Sequence, residues 1–492
     1  MRERGSHGRI PARPNLRLAR TEVPPTIATK GAVVPPSYLM SDVIVCIPGI
    51  TGSVLRKDGR DVWNVSGGAV LNALRSLGGS MQSLKLADDP VDVDDVDGIQ
   101  ATSVIRDVHL IPGLWKIDGY TKLVRHIEER FDVKPGENLF EFAYDWRRDN
   151  RVASRQLATK SRKWLADWRQ KSGNADAKLV IVGHSMGGLV ARHFLECREG
   201  WRDTRTLVTI GTPYGGSLYS LGTLANGKKI KFFDLTEVSR SLTALFQLLP
   251  IYPCYDGGDG SLKRVSETQI KNVDPEKAKA ALAFHHEIRD GVEANMKEQE
   301  YADNRYDIRP IVGIEQPTAQ SAVRDGDKVK LLRRHGQDDL GGDGTVPRPS
   351  ATPAEFEKLE NAIYAAERHA SLQNDADVLF QLNGILTQPT FDPKDYRDAT
   401  AKVGQSLDLE DWLSPDEPVT VRVRPQSDPG GLLVAVAEDA ETGEERARRQ
   451  LRPADDGWYE AELGPLPEGL YRVSSVGGNV EPVTDLVTVV GE

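Results

Sequence analysis

The sequence predicts an α/β protein with a mostly parallel central sheet flanked by helices, followed by a small antiparallel β-sandwich. From residue 41 onward, short apolar runs alternate with helical patterns, which is typical of parallel strands joined by helices. Beyond about residue 412 the pattern changes to short alternating segments separated by turn residues, which is typical of a sandwich. We therefore expect one large domain over residues 41–400 and a second over residues 412–492.

Each predicted element follows from its local pattern. Short apolar runs bounded by turn residues predict strands, and apolar residues recurring every three or four positions predict helices. The predicted strands of the large domain cover residues 42–49, 138–146, 178–183, 206–213, 306–315 and 360–367. The predicted helices between them cover residues 119–131, 153–170 and 187–197.

The composition excludes several classes of function. The 492 residues are 39% hydrophobic and 28% charged, which suits a globular chain with a substantial core. A formal net charge of −10, with Lys and Arg dispersed, argues against a nucleic-acid partner. No apolar run approaches the length of a membrane span. The widely spaced Cys46, Cys197 and Cys254 suggest neither a disulfide framework nor a metal site, and they favour a reducing, cytoplasmic compartment.

Residues 1–40 differ from the rest of the chain. They carry seven basic side chains against two acidic ones, several prolines, and no apolar h-region of a secretory signal. We expect a disordered basic arm. An organellar transit peptide is the alternative, although the prolines would interrupt its helix. Because Met40 opens a segment that would make a natural beginning, the arm need not belong to the working protein.

The corner Gly183-His184-Ser185-Met186-Gly187 carries the main catalytic signal. It places G-x-S-x-G between a predicted strand and a predicted helix, which is the setting of the nucleophile elbow in α/β-hydrolases. Glycine on both sides tolerates close approach around a residue in strained backbone geometry, and that strain lifts the hydroxyl above the sheet. The dipole of the following helix points at the same place. The corner therefore predicts Ser185 as a nucleophile.

A serine hydroxyl needs a base, and in this fold an acid and then a histidine follow the serine along the chain. The polar, glycine-broken segment after the fifth predicted strand offers Asp343 as the acid, with Asp338 and Asp339 as alternatives. An Asx turn is the structural alternative for Asp343. The segment after the sixth predicted strand places His369 as the base.

Position argues against the other histidines as the base. His184 adjoins the nucleophile and cannot easily turn back onto it. Five others lie on helices, directly before the acid segment, or too early in the chain; they are His193, His285, His286, His335 and His109.

Acyl transfer also needs two backbone N–H groups for the oxyanion of its transition state. One donor should be Met186, directly after the nucleophile. The other should come from the glycine-bracketed loop at residues 46–53, where Ile50 or Thr51 would donate. A plain strand-ending turn is the alternative interpretation of that loop.

Six motifs in the same order resemble the lecithin:cholesterol acyltransferase and phospholipid:diacylglycerol acyltransferase family over roughly residues 42–385. They are IPGITGS (47–53), YDWR (144–147), GHSMGG (183–188), IGTPYGGS (210–217), GDGTVP (342–347) and RHASL (368–372). The resemblance implies an α/β-hydrolase fold and an enzyme that moves an acyl chain from a lipid ester to an alcohol or water. The disulfides and the signal or membrane segments of the family's eukaryotic secreted members are missing here, which puts a secreted or lumenal location in doubt.

The resemblance also assigns residues. It implies a catalytic triad and two oxyanion donors, with a supporting role for part of the YDWR motif. The triad is Ser185, Asp343 and His369, the donors are Ile50 and Met186, and the supporting residues are Asp145, Trp146 and Arg147. No cofactor and no metal are predicted; the aspartate-rich residues 88–98 lack the EF-hand order, so we expect a solvated loop there rather than a calcium site.

A lipid substrate needs an apolar path to the serine, and an insertion at about residues 214–260 is the predicted source. Its apolar residues recur on one face of a helix; they are Leu235, Val238, Leu242, Leu245, Phe246 and Leu249. We expect either a movable lid that contacts a membrane surface or a helix packed permanently on the core.

Three functions remain open from the sequence. The first is a lipid acyltransferase, lipase or phospholipase working through an acyl-serine. The second is an esterase or thioesterase for small soluble acyl compounds. The third is an interaction protein that works through its C-terminal β-sandwich.

Overall fold

The structure is a computed structural model that describes residues 38–64, 82–106, 109–111, 115–230, 233–355, 362–387 and 402–491. These residues belong to one unit, Ser37–Glu492. The predicted N-terminal arm lies outside the described residues except for positions 38–40.

A six-stranded parallel sheet forms the centre of the fold, as the sequence predicts. Its strands are β1 (Val43–Ile47), β2 (Leu139–Glu141), β3 (Leu179–His184), β4 (Thr204–Ile210), β5 (Asp307–Gly313) and β6 (Ile363–Ala365). They lie in the order β2-β1-β3-β4-β5-β6, and each neighbouring pair is parallel. The chain crosses from one side of β1 to the other between β2 and β3, and such a switch point leaves a crevice at the carboxyl ends of the strands.

Helices join the strands and shield the sheet. They are α1 (Thr121–Arg130), α2 (Asn150–Ser172), α3 (Met186–Cys197), α4 (Leu218–Asn226), α5 (Thr236–Ser241), α6 (Thr243–Phe246), α7 (Pro275–Asn295), α8 (Gln299–Asn304) and α9 (Ala376–Leu386). Aspartate side chains accept hydrogen bonds from first-turn amides at the starts of α2, α7 and α9, which satisfies donors that a helix leaves unpaired.

Alternate residues of β3 pack into two hydrophobic clusters on opposite faces of the sheet. Leu179 and Ile181 join the cluster that includes buried residues of α2 and α3. Val180 and Val182 join the cluster that includes buried residues of α1 and α9. Because both faces are covered, the strand is apolar at nearly every position, and this explains the continuous run in the sequence.

Smaller sheets accompany the central sheet. One sheet contains Ser53–Lys57, Arg60–Trp63 and Ile99–Val104, and another contains Tyr255–Asp256, Leu262–Lys263, Ser321–Asp325 and Lys328–Leu332. Two-stranded pairs join Tyr38–Leu39 to Phe131–Asp132, His109–Ile111 to Trp115–Ile117, and Lys229–Ile230 to Phe233–Asp234.

The predicted single helix within residues 234–250 is wrong. The chain forms the two short helices α5 and α6, separated by Leu242 in an extended conformation at φ −75° and ψ 113°. The apolar residues that suggested one helical face, from Leu235 to Leu249, are all buried in the hydrophobic cluster that also includes α2 and α3. The break lets residues on both sides of Leu242 reach the core.

The residues from 405 onward form two sheets. The first has the order β7-β9-β13-β12, and the second has the order β8-β15-β14-β10-β11. The strands are β7 (Gln405–Asp408), β8 (Trp412–Leu413), β9 (Pro418–Pro425), β10 (Leu433–Asp439), β11 (Glu445–Gln450), β12 (Arg452–Pro453), β13 (Tyr459–Pro465), β14 (Gly469–Gly477) and β15 (Val483–Val489). Buried side chains of both sheets form one hydrophobic cluster. Their pairing is antiparallel except between β8 and β15.

Across the described ranges, the structure has no helix with both the length and the apolar character of a membrane span. The same ranges hold no group of three or more His, Cys, Asp or Glu side chains arranged to bind a metal ion. The three cysteines are free thiols.

Three buried histidines predict a loss of stability in mild acid. Burial lowers the pKa of His184 to about 3 and the pKa values of His193 and His285 to about 4. These imidazoles stay neutral in the folded chain but take up protons in the unfolded chain below about pH 6.5. The stability they contribute is therefore complete above that pH and is lost as the pH falls toward their folded pKa values. We expect the Tm to fall steadily between about pH 6.5 and pH 4.

His285 offers a direct check, since its Nε2 donates to the carbonyl of Gln247 at 2.8 Å. Replacing it by Gln should make the Tm fall less steeply over this pH range. His286→Gln, on the exposed side of the same helix, is the control for the substitution. A His285→Gln slope equal to that of the wild type would contradict the prediction.

Candidate active site

Ser185 forms the corner between β3 and α3. Its backbone lies at φ 51° and ψ −125°, and residues with a Cβ rarely adopt a positive φ. The Ser185 amide donates to the carbonyl of Ile210 at 2.8 Å, at the end of the neighbouring β4. This bond holds the corner at the carboxyl edge of the sheet, next to the switch point.

The glycines around the serine are required by close approach. A Cβ on Gly183 would lie 2.9 Å from the Cα of Gly188. A Cβ on Gly187 would lie 2.5 Å from the carbonyl oxygens of both Ile47 and Pro48. Each distance is far below contact with backbone atoms that cannot move aside. The strand, the helix and the loop after β1 can therefore meet only through glycine.

Ser185, His369 and Asp343 are joined by hydrogen bonds. His369 Nε2 lies 2.9 Å from Ser185 Oγ, and His369 Nδ1 lies 2.7 Å from Asp343 Oδ2. A carboxylate only accepts, so His369 donates its Nδ1–H to Asp343 and presents the lone pair of Nε2 to the hydroxyl. The structure thus brings together three residues that follow β3, β5 and β6 in the chain.

Backbone groups fix the acid and the base. Asp343 Oδ1 accepts from the amides of Thr345 and Val346 at 2.9 and 2.7 Å, which orients the other oxygen toward the imidazole. The amide of His369 donates to the carbonyl of Asp343 at 2.8 Å. The alternative acid Asp339 faces elsewhere, since its carboxylate accepts from Gln320.

Asp338, the other alternative acid, belongs to a tight turn whose backbone pairs with His335. The remaining candidate histidines have partners away from the serine: His335 contacts the carbonyl of Pro253, and His193 contacts Ser154. His286 is exposed on α7. The side chain of His109 lies outside what the structure describes.

The loop after β1 lies against the serine. A Cβ on Gly49 would be 2.9 Å from the Cβ of Ser185. The buried amides of Ile50, Thr51 and Met186 have no acceptor in the part of the chain that the structure describes. Buried amides without partners are rare in folded proteins. Thr51 adopts a φ of 64°, which turns the loop at this point.

A second series of hydrogen bonds links the loop after β1 to the backbone of His369. The Tyr120 hydroxyl accepts from the amide of Gly49 at 2.8 Å and lies 2.8 Å from His184 Nδ1, while His184 Nε2 lies 3.3 Å from the carbonyl of His369. A carbonyl only accepts, so His184 carries its proton on Nε2 and Tyr120 donates to Nδ1. Sequence reasoning missed Tyr120, because it contacts Gly49 across 71 residues with no local motif.

The predicted supporting residues lie in the segment between β2 and α2. Trp146 Nε1 donates to the carbonyl of Ser53 at 3.1 Å. Arg147 is fully buried and pairs with Asp145 at 2.6 Å and with Asp97 at 2.9 Å. These contacts are with protein groups: Trp146 binds the end of the loop, whereas Arg147 joins Asp145 to the aspartate-rich segment.

The aspartate-rich segment is a largely exposed loop, as the sequence predicts, and three of its aspartates also form ion pairs. Asp97 pairs with Arg147, Asp89 with Arg148 at 2.7 Å, and Asp94 with Arg155 at 2.6 Å. Arg147 ends the YDWR motif, Arg148 follows it and Arg155 lies on α2, so these three carboxylates pair with a distant part of the chain.

The cavity beside Ser185 is small. Its wall contains Ser185 and His369, residues at the start of α4, and Leu248 after α6. Its volume is about 20 Å³, which holds about one water molecule. The described cavity is too small to hold a long acyl chain.

The parallel sheet with a serine corner at its switch point, followed in chain order by an aspartate and a histidine, defines an α/β-hydrolase. The sequence model of the family "Lecithin:cholesterol acyltransferase" matches residues 93–379, which is more than half of the chain. The protein belongs to the lecithin:cholesterol acyltransferase family.

Individual relatives match shorter stretches. The human lysosomal phospholipase A and acyltransferase is 32% identical over 124 residues, which are 23% of this chain and 29% of that protein. An uncharacterized protein of Saccharomyces cerevisiae is 30% identical over 95 residues, which are 19% of this chain and 13% of that protein. The matches thus span less than a third of either relative.

Solved structures give weak likenesses. A mature lipase of Bacillus licheniformis has a TM-score of 0.33 and 12% identity, covering 72% of this chain and 93% of the lipase. A phospholipase of Legionella pneumophila has a TM-score of 0.24 and 10% identity, covering 78% of this chain and 89% of the phospholipase.

Gly187→Ala should separate the corner from the loop that carries Ile50. The added Cβ would meet two backbone carbonyls at 2.5 Å, so the loop must shift away from the amide of Met186. Because the loss of one oxyanion donor lowers kcat by about 100- to 1,000-fold, we expect a fall of that order in ester turnover. Gly491→Ala is the control, since its Cβ would meet chiefly the carboxylate end of the flexible Glu468 side chain, outside the proposed lid. Equal turnover by the two variants would contradict the prediction.

Proposed function

We propose that this protein is a serine-dependent enzyme that removes an acyl group from a lipid ester and transfers it to water or to an alcohol. The observation that carries the proposal is the hydrogen-bonded path from Ser185 through His369 to Asp343 in a member of the lecithin:cholesterol acyltransferase family. In this proposal Ser185 is the nucleophile, His369 the base, and Asp343 the acid that orients it.

Acylation begins when Ser185 Oγ attacks the ester carbonyl carbon and His369 Nε2 takes the hydroxyl proton. The tetrahedral intermediate places its oxyanion against the unpaired amides of Met186 and Ile50. As the intermediate collapses, the bond from carbon to the leaving oxygen breaks. His369 then gives its proton to that oxygen, and the products are an alcohol, such as a lysolipid, and an acyl-serine.

Deacylation repeats the same steps with a new nucleophile. Water or an alcohol attacks the acyl-serine while His369 takes its proton, and the proton returns to Ser185 Oγ as the acyl bond to serine breaks. Water yields a free acid, and an alcohol yields a new ester. The triad serves both acceptors, so the exclusion of water from the cavity decides between hydrolysis and transfer.

The substrate class rests on the family and on the cover over the serine. We propose that the start of α4 and the segment around Leu248 form a lid over the cavity that opens at a lipid surface. Opening would expose apolar side chains near Leu248 to the acyl region of the lipid. Peripheral membrane contact through this segment follows from the same proposal.

We also propose that residues 41–400 are the catalytic domain, with a lid insertion at about residues 214–260, and that residues 412–492 are a β-sandwich domain. The two C-terminal sheets and their shared cluster support this division, although β7 precedes residue 412. The three free cysteines support a reducing, cytoplasmic location.

The decisive test is a comparison of lipids in phospholipid vesicles incubated with wild type and with Ser185→Ala, with and without an added long-chain alcohol. We expect wild type to produce lysolipid and free acid, plus a new ester when the alcohol is present. Ser185→Ala and His369→Ala should each lower turnover by at least about 1,000-fold.

Ser261→Ala and His286→Ala, both at exposed positions, are the matched controls and should keep wild-type turnover. Unchanged lipids with wild-type protein would contradict the lipid activity. Activity that survives Ser185→Ala would instead contradict the mechanism and favour an interaction protein that works through its C-terminal sheets.

The small volume of the cavity, together with the proposed lid, predicts that chain length and physical state of the substrate matter together. We expect turnover of a long-chain ester to rise more than in proportion to concentration once the ester forms aggregates, because the aggregate surface stabilises the open lid. We expect no such rise in turnover for a short, soluble nitrophenyl ester. A higher kcat/KM for the short ester under all conditions would favour the alternative, an esterase or thioesterase for small soluble acyl compounds.

A further inference from the structure

The loop that carries His369 lies between the central sheet and the C-terminal sheets. Buried polar contacts join its neighbours to strands β14 and β15. None of these contacts belongs to the hydrogen-bonded path from Ser185 to Asp343. Each joins two residues that are far apart in the chain.

Arg368, directly before His369, pairs with Asp485 on β15. Its Nε and Nη2 lie 2.9 and 2.7 Å from Asp485 Oδ2, and its Nη1 donates to the carbonyl of Leu407 on β7 at 3.1 Å. Asp485 is 1% exposed. A Cβ on Gly344 would lie 3.3 Å from Nη1 of Arg368, so the guanidinium also packs beside the residue that follows the acid.

Ala370, directly after His369, is held from the other side. Its carbonyl accepts from the amide of Asp118 at 2.9 Å. Asp118 is 4% exposed, and its carboxylate accepts from Nε of Arg472 on β14 at 2.6 Å. The base is thus flanked by two buried ion pairs, each with one partner on a C-terminal strand.

The acid loop has a similar link to the first C-terminal sheet. The amide of Gln316 donates to the carbonyl of Gly342, next to Asp343, at 2.9 Å. The side chain of Gln316 bonds to the backbone of Gln405 and Leu407 on β7, both at 3.1 Å. The C-terminal sheets therefore contact the surroundings of both the acid and the base.

We propose that the two C-terminal sheets position the catalytic loops, and that Arg368 and Asp485 are positioning residues for His369. The inference rests on the proposed role of His369 as the base. A buried ion pair adds little net stability compared with an apolar pair of the same size, but it fixes geometry through directed hydrogen bonds. A base must be held within about half an ångström of its productive position, which the flanking pairs supply.

The test compares Arg368→Met, Asp485→Leu and the double variant in the full chain. Each single variant leaves one buried charge without its partner, so both Tm and kcat should fall. The double variant removes both charges and should regain most of the lost Tm. If the pair positions the base, kcat of the double variant for a nitrophenyl ester stays at least about 10-fold below wild type, with KM changed less than about twofold.

A purely structural pair would give another result, in which the double variant regains kcat together with Tm; this result overturns the inference. Arg448 and Glu445 form an exposed pair on β11 and provide the matched control. Their Met and Leu replacements should leave kcat at the wild-type value. If the double variant folds poorly, Arg368→Lys decides, because it keeps the charge but loses the fork of hydrogen bonds: reduced kcat at wild-type Tm supports the inference, and wild-type kcat overturns it.

Labelling by a fluorophosphonate separates this inference from the lipid activity, because the reagent needs an activated Ser185 hydroxyl but no lipid. Slower labelling of the double variant than of wild type supports the inference even when wild type leaves vesicle lipids unchanged. Equal labelling rates overturn the inference even when wild type turns over lipids.

Discussion

The site depends on the backbone of one residue. Ser185 holds a conformation that costs about 1–3 kcal/mol for a side chain with a Cβ, and it persists because its neighbours leave no alternative. On one side its amide is bound to the end of β4, and on the other Gly187 presses against the carbonyls at the end of β1. The strained backbone of Ser185 is therefore held by two strands of the buried parallel sheet.

The register of that sheet brings distant residues together. His184 lies opposite Ile210, Ile210 opposite Ile311, and Gly313 opposite Ala365, so the carboxyl ends of the strands form one edge. Serine and histidine come within hydrogen-bonding distance at this edge across 184 residues of chain. Most contacts that hold the loops here are to backbone amides and carbonyls. The geometry of the site is thus set by chain direction and hydrogen bonding more than by side-chain packing.

The sequence predicted what local rules determine. A parallel strand covered on both faces needs a continuous apolar run, and a serine corner needs glycines at fixed offsets. Both features can therefore be predicted from the sequence. The break at Leu242 could not be predicted, because two short helices packed on one core keep nearly the same apolar spacing as one helix. Tyr120 and Asp485 were also hidden, since they act on residues 71 and 117 positions away and nothing beside them marks their role.

The distance between Arg368 and Asp485 has a consequence for how the protein is made. A ribosome adds about 5–20 residues per second, so the 117 positions that separate the two partners take roughly 6 to 23 s to synthesise. During that interval the nascent histidine segment has no β15 to dock on. The contacts proposed to position His369 would therefore form only after β15 has been synthesised.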